Sequence, residues 1–168
     1  MMSRPSGGRA PRRASARRGD ALLLSSQICF PLYAAGNLLG RLYRPLLDEL
    51  GLTYPQYLAM LTLWEKDGQG VGELGDLLLL DSGTLSPLLK RLQQNGLVEK
   101  RRGTEDERRV AIFLTPAGRA LRERALAVPE AMMCQLPGEP AQLMQLREDL
   151  WRFLRELSAI APAGKENT

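Results

Sequence analysis

At Asn95-Gly96 the hydrophobic period of this 168-residue chain changes, and that change limits the folds open to it. Ahead of it, Leu85, Leu88, Leu89 and Leu92 recur at helical spacing. Beyond it, Leu97–Lys100 and Val110–Leu114 read as two short strands around a polar tip at Gly103–Glu107. Asn-Gly is a favourable helix stop, because both residues tolerate the left-handed backbone that ends a helix. Upstream, Asp81-Ser82-Gly83-Thr84 supplies the start signal of the leucine helix, and Val71–Leu80 reads as a shorter helix carrying Leu74, Leu77 and Leu78. Two short helices joined by a tight turn form a helix-turn-helix, and a hairpin directly after it makes a wing.

Longer apolar stripes flank this module. Leu32, Ala35, Leu39, Leu42, Leu46 and Leu50 predict a first helix, with Pro31 in its opening turn and Gly51 at its end. Thr53 caps a second helix with Pro55 in its first turn and Tyr57, Met60, Leu61 and Trp64 on its buried side; Asp67–Gly70 follows as a turn. Thr115-Pro116 opens a helix running toward Pro129, and Leu143, Leu146, Leu150, Leu154 and Leu157 mark a last one, with Trp151 and Phe153 alongside. The fold class expected is mainly α: a winged helix-turn-helix at 53–114, flanked by helices at 21–52 and 115–160, with tails at 1–20 and 161–168. The outer helices are more apolar than the module needs. Their economical partner is a second copy of the chain, which predicts an obligate homodimer.

Composition removes whole classes of chemistry. The chain has no histidine and two cysteines, Cys29 and Cys134. That excludes His-dependent nucleophilic catalysis and His-based zinc ligation, and predicts no metal, no cofactor and no disulfide scaffold of the secreted kind. No apolar run approaches the roughly 18 residues of a membrane span, so a cytoplasmic protein is expected. Residues 1–20 hold six arginines against Asp20, a net of +5, so the remaining 148 sum to −1 of the total +4. Such an Arg-, Gly- and Ser-rich stretch predicts disorder. Any affinity of the body for nucleic acid must then rest on local clusters.

Two clusters qualify. On the leucine helix the outward positions hold Ser82, Thr84, Ser86, Lys90, Arg91 and Gln94, suited to phosphates and base edges. Pro87 is out of place there, and implies either a start near Thr84 or a bend. In the hairpin, Lys100, Arg101, Arg102, Arg108 and Arg109 crowd the tip, with Asp106 placed to brace Arg108. An arginine projecting from a wing suits a narrow minor groove. Two such modules in a dimer predict double-stranded DNA with a palindromic operator as partner.

Cys29 sits at or just before the first long helix, where the helix dipole favours a thiolate. All four tyrosines, Tyr33, Tyr43, Tyr54 and Tyr57, follow within residues 33–57, and phenols can donate to an ionised sulfur. The residues alone leave open a second account: a buried cysteine among ordinary core aromatics.

Cys29-Phe30-Pro31-Leu32-Tyr33, Tyr43-Arg44-Pro45-Leu46-Leu47 and Leu52-Thr53-Tyr54-Pro55-Gln56-Tyr57 resemble the organic hydroperoxide resistance regulators, a branch of the MarR family. Leu80–Leu85, Asp106-Glu107-Arg108 and Leu114-Thr115 extend the resemblance to roughly residues 22–158. It implies a dimeric repressor, not an enzyme, that binds DNA when reduced. Cys29 would be oxidised by an organic hydroperoxide to sulfenic acid, Tyr43 and Tyr54 would hydrogen-bond the sulfur, and Tyr33 would reach it across the dimer. Phe30 and Leu32 would favour organic oxidants. Cys134 would be the resolving thiol, forming a disulfide with Cys29 of the other subunit. Two alternatives remain: a MarR-type repressor released by a non-covalent phenolic or lipophilic ligand, and a thiol peroxidase, for which the chain lacks any Cys-x-x-Cys pair.

Overall fold

The computed structural model describes residues 20–102 and 110–160. The chain divides into two units, residues 1–39 and 40–168. Within the first lie two single-turn 3-10 helices, Asp20–Leu22 and Leu24–Ser26, and the start of α1, Cys29–Asp48. Leu22, Leu23, Leu24, Ile28 and Tyr33 are all more than half exposed.

The second unit contains the remainder of α1, then α2 (Tyr54–Glu65), β1 (Gln69–Gly70), α3 (Val71–Leu78), α4 (Ser82–Gln94), β2 (Val98–Arg102), β3 (Val110–Leu114), α5 (Pro116–Ala125), α6 (Ala127–Gln135) and α7 (Pro140–Ile160). The winged helix-turn-helix expected from the period change is present. Helix α2 opens on a reciprocal cap, in which the Thr53 amide donates to Gln56 Oε1 at 2.9 Å. Helix α4 buries Leu85, Leu88, Leu89 and Leu92 against Leu63, Leu74, Val98 and Ile112, the apolar centre of the unit. It ends at Asn95, with Gly96 at φ +69 and the Leu97 amide bonded back to the Leu92 carbonyl.

Several local expectations are corrected. Asp67–Gly70 is more than a turn: Gln69 and Gly70 pair antiparallel with Ile112 and Ala111, giving a three-stranded sheet of order β1-β3-β2. Two residues carry no alternation, so nothing in the pattern marked them. The polar Gln69 is buried because its amide donates to the Thr62 and Lys66 carbonyls at the end of α2. The third helix stops at Leu78, since Leu79 takes a left-handed backbone (φ 53) that turns the chain toward α4. Leu61 and Leu77, assigned to buried faces, are exposed. On α1, Leu47 is buried where the stripe named Leu46, which is only partly covered. The helix running toward Pro129 breaks at Leu126, and Pro129 falls in the first turn of α6, where a missing amide hydrogen costs nothing. Helix α4 begins at Ser82 rather than near Thr84, so Pro87 lies inside it.

The wing is anchored to α5 at close range. Thr115 caps α5, accepting from the Gly118 amide at 3.0 Å, while its hydroxyl and amide donate to the Gly96 and Leu97 carbonyls. A Cβ at Gly118 would stand 2.0 Å from the Leu97 carbonyl oxygen. From the other side, Trp64 Nε1 donates to the Gly118 carbonyl at 2.8 Å.

Helix α7 buries no side chain. Met144, Leu146, Trp151 and Ile160 are each more than half exposed. Among the described residues, no helix is long and apolar enough to cross a membrane.

Candidate functional site

The outward face of α4 is as expected. Ser82, Thr84, Ser86, Lys90, Arg91 and Gln94 are all exposed, because the four leucines of the same helix turn the other way into the core. Thr84 has a second duty. Asp81 caps α4 by accepting from the Thr84 amide at 2.9 Å, and the Thr84 hydroxyl donates to the other carboxylate oxygen at 3.0 Å. These bonds hold the Asp81 carboxyl below its ordinary value of 3.8. A depressed carboxyl contributes stability above its unfolded value and loses it as pH falls through the folded one. Asp81→Ala is therefore expected to lower Tm at pH 7, and the gap from wild type is expected to close below pH 3.8. Thermal unfolding followed from pH 7 to pH 2 checks this; a gap constant over that range would contradict it.

In the hairpin the register pairs Glu99 with Phe113, Lys100 with Ile112 and Arg101 with Ala111. Lys100 and Arg101 are exposed. The Arg101 guanidinium is paired with Glu99 and lies 4.8 Å from the centroid of the Phe113 ring. The Arg102 side chain, Asp106, Arg108 and Arg109 fall outside the described residues.

Asp67 was not singled out by sequence reasoning. It sits between α2 and β1 and accepts from the amides of Gly68 (2.9 Å) and Leu114 (2.8 Å), while its other oxygen pairs with Arg119. One carboxylate thus joins the end of α2, strand β3 and α5. Its only signal was the Asp-Gly dipeptide, which reads equally well as a plain turn.

The cysteines and tyrosines are distributed as follows. Cys29 is the first residue of α1 and Cys134 lies in the last turn of α6; both are exposed, which does not fit a buried, core-filling role. Tyr33 belongs with Cys29 to the first unit and is 70% exposed. Within the second unit Tyr43 and Tyr54 stack at 4.7 Å between ring centroids, and Tyr57 lies 6.0 Å from Tyr43. Burial pushes the Tyr43 phenol above its ordinary 10.0, with Tyr54 and Tyr57 adding to the shift, and burial raises Tyr54 as well. Both phenols therefore keep their protons near neutral pH and remain hydrogen-bond donors. Among the described residues, no group of three or more acidic, cysteine or histidine side chains could hold a metal ion.

Comparison with known proteins places this geometry. Residues 41–124 match the family model described as transcriptional regulator SarA/Rot. The chain is 44% identical over 138 residues to the organic hydroperoxide resistance transcriptional regulator of Bacillus subtilis strain 168, covering 82% of this chain and 94% of that protein. It is similar to the solved structure of reduced AbfR bound to DNA, with a TM-score of 0.65 at 39% identity, over 80% of this chain and 93% of that one. A structure of disulfide-formed AbfR matches at a TM-score of 0.58 and 40% identity, over 80% and 91%.

Proposed function

This chain belongs to the organic hydroperoxide resistance regulators of the MarR family, and we propose that it is a dimeric repressor released from its operator when an organic hydroperoxide oxidises Cys29. The observation that carries this is the exposed thiol at the first residue of α1 in a chain of this family. The Cys29 thiolate attacks one peroxide oxygen; the O–O bond breaks, the alkoxide leaves and takes up a proton as the alcohol, and Cys29 becomes sulfenic acid. The Cys134 thiol of the second subunit then attacks that sulfur, water leaves, and an intersubunit disulfide forms. Tyr43 and Tyr54 hydrogen-bond the oxidised sulfur, and Tyr33 reaches it across the dimer. Exposed Phe30 and Leu32 beside Cys29 favour an organic over an inorganic peroxide.

Residues 53–114 form the DNA-reading part, and 21–52 and 115–160 form the dimer. The uncovered apolar residues of α7 and of the segment around Cys29 support the second assignment, since patches of this kind are stable in water only when a partner covers them. Ser82, Thr84, Ser86, Lys90, Arg91 and Gln94 enter a major groove, and the wing arginines Arg102, Arg108 and Arg109 approach the flanking minor groove, Asp106 bracing Arg108. The chain acts stoichiometrically in the cytoplasm, as a regulator rather than an enzyme.

The resolving step has its own test. Peroxide-treated wild type is expected to run on a non-reducing denaturing gel as a covalent dimer, and Cys134→Ser as a monomer. A persistent dimer in that variant, or a monomeric oxidised wild type, would remove Cys134 from the mechanism.

A further inference from the structure

We propose that Arg101 is a positioning residue of the wing, acting through Phe113, and not a contact to DNA phosphate; this rests on the reading that the chain binds operator DNA. Three features of the hairpin support it. The guanidinium lies 4.8 Å from the Phe113 centroid, within the range of a cation–π contact. The same group is paired with the Glu99 carboxylate, and Glu99 stands directly across from Phe113 in the register. Glu99 and Arg101 are two apart on β2 and so share a face, which sets the guanidinium diagonal to the ring. The ring in turn lies against Gly68, where a Cβ would come within 2.6 Å of Phe113 Cε1, so the site is shaped for a residue without a side chain.

The consequence is a strut. Phe113 ties the strand pair to the turn after α2, and Arg101 covers the ring while Glu99 offsets its charge. A guanidinium committed in this way releases few counterions when DNA arrives, unlike the exposed Lys90 on α4. Its contribution is the angle at which the wing leaves the sheet, and hence the contact of the wing tips with the flanks of the operator.

The test uses the full-length reduced protein and a duplex selected from a random-sequence pool by the wild type. Binding is measured across a salt series for Arg101→Met, Arg101→Lys, Phe113→Leu and Lys90→Met, and the two-residue variant carrying Arg101→Met with Phe113→Leu. Arg101→Met is expected to weaken binding about tenfold over two wings with an unchanged salt slope. Arg101→Lys should restore most of the loss, and the two-residue variant should be no weaker than Phe113→Leu alone. Lys90→Met should flatten the slope by about one, as a lost phosphate contact does. Hydroxyl-radical footprints of Arg101→Met should lose protection at the operator flanks and keep it at the centre, a pattern that mere loss of stability would not give. A flattened slope, full additivity with Phe113→Leu or unchanged affinity would each overturn the assignment. The Arg101 side-chain protons should also show an upfield ring-current shift in NMR spectra without DNA, lost in Phe113→Leu. Its absence in wild type overturns the strut by itself, whereas a pool from which wild type retains no duplex overturns the DNA reading.

Discussion

Replacing Cys29 by serine is expected to leave operator binding intact and to abolish its response to an alkyl hydroperoxide. Wild type treated with tert-butyl hydroperoxide should lose about 5- to 150-fold in affinity, the usual span of coupling between two sites in a switching protein. The serine variant should change by less than about twofold over the same treatment, because a hydroxyl has no thiolate form to attack the peroxide. Serine at the first residue of α1 is also a favourable helix start, so the fold is not at risk. The measurement is fluorescence anisotropy of a labelled operator with both proteins reduced beforehand. Release of the variant by peroxide would remove Cys29 as the sensor. Insensitivity of both proteins, with release by a phenolic compound, would leave a ligand-released repressor in its place.

The second large effect is on stability. Gly118→Ala is expected to lower Tm by roughly 6–12 °C, from a cost of about 3 kcal/mol and the few degrees per kcal/mol usual for a chain of this size. The cause is a backbone collision: the new methyl would stand 2.0 Å from the Leu97 carbonyl oxygen, and that carbonyl cannot move away freely. It already accepts from the Thr115 amide at 3.1 Å and from the Thr115 hydroxyl at 3.2 Å, while Trp64 holds Gly118 from the other side. Relief requires α5 to slide off the root of the wing, so operator affinity should fall with stability. Thermal unfolding by circular dichroism decides it, and a loss under about 2 °C would show that α5 and the wing are not locked together. Gly36, with open space around it, is the control: Gly36→Ala meets nothing within 4 Å and should be neutral or mildly stabilising within α1.

The DNA-reading half was legible because each of its signals is local. Asp81 before the leucine repeat, Asn95-Gly96 after it and Thr115-Pro116 beyond the strands each act within about one turn of chain, and all three behave in the structure as their chemistry predicts. The misreadings share a different cause. Gln69-Gly70 becomes a strand only because β3 passes beside it, and Leu79 turns left-handed although leucine has no preference for that backbone. Leu61 and Leu77 follow a helical stripe yet face outward, because which side of a short helix is covered depends on its neighbours. The thiol site was legible as residue types and spacing. That Tyr43 and Tyr54 stack, and keep their protons through burial, was not.

Sequence by itself determined the kind of fold, the helix boundaries set by caps and stops, and the outward chemistry of α4, since capping bonds and the 3.6-residue period are properties of a few neighbouring residues. It also determined the family, through a cysteine, tyrosines and prolines at matching positions. Only the tertiary structure decided that Asp67 joins α2, β3 and α5, that Gly118 must lack a side chain, and that Arg101 lies on Phe113. Each of those depends on residues between 12 and 52 positions apart being brought within a few ångströms, and packing alone does that.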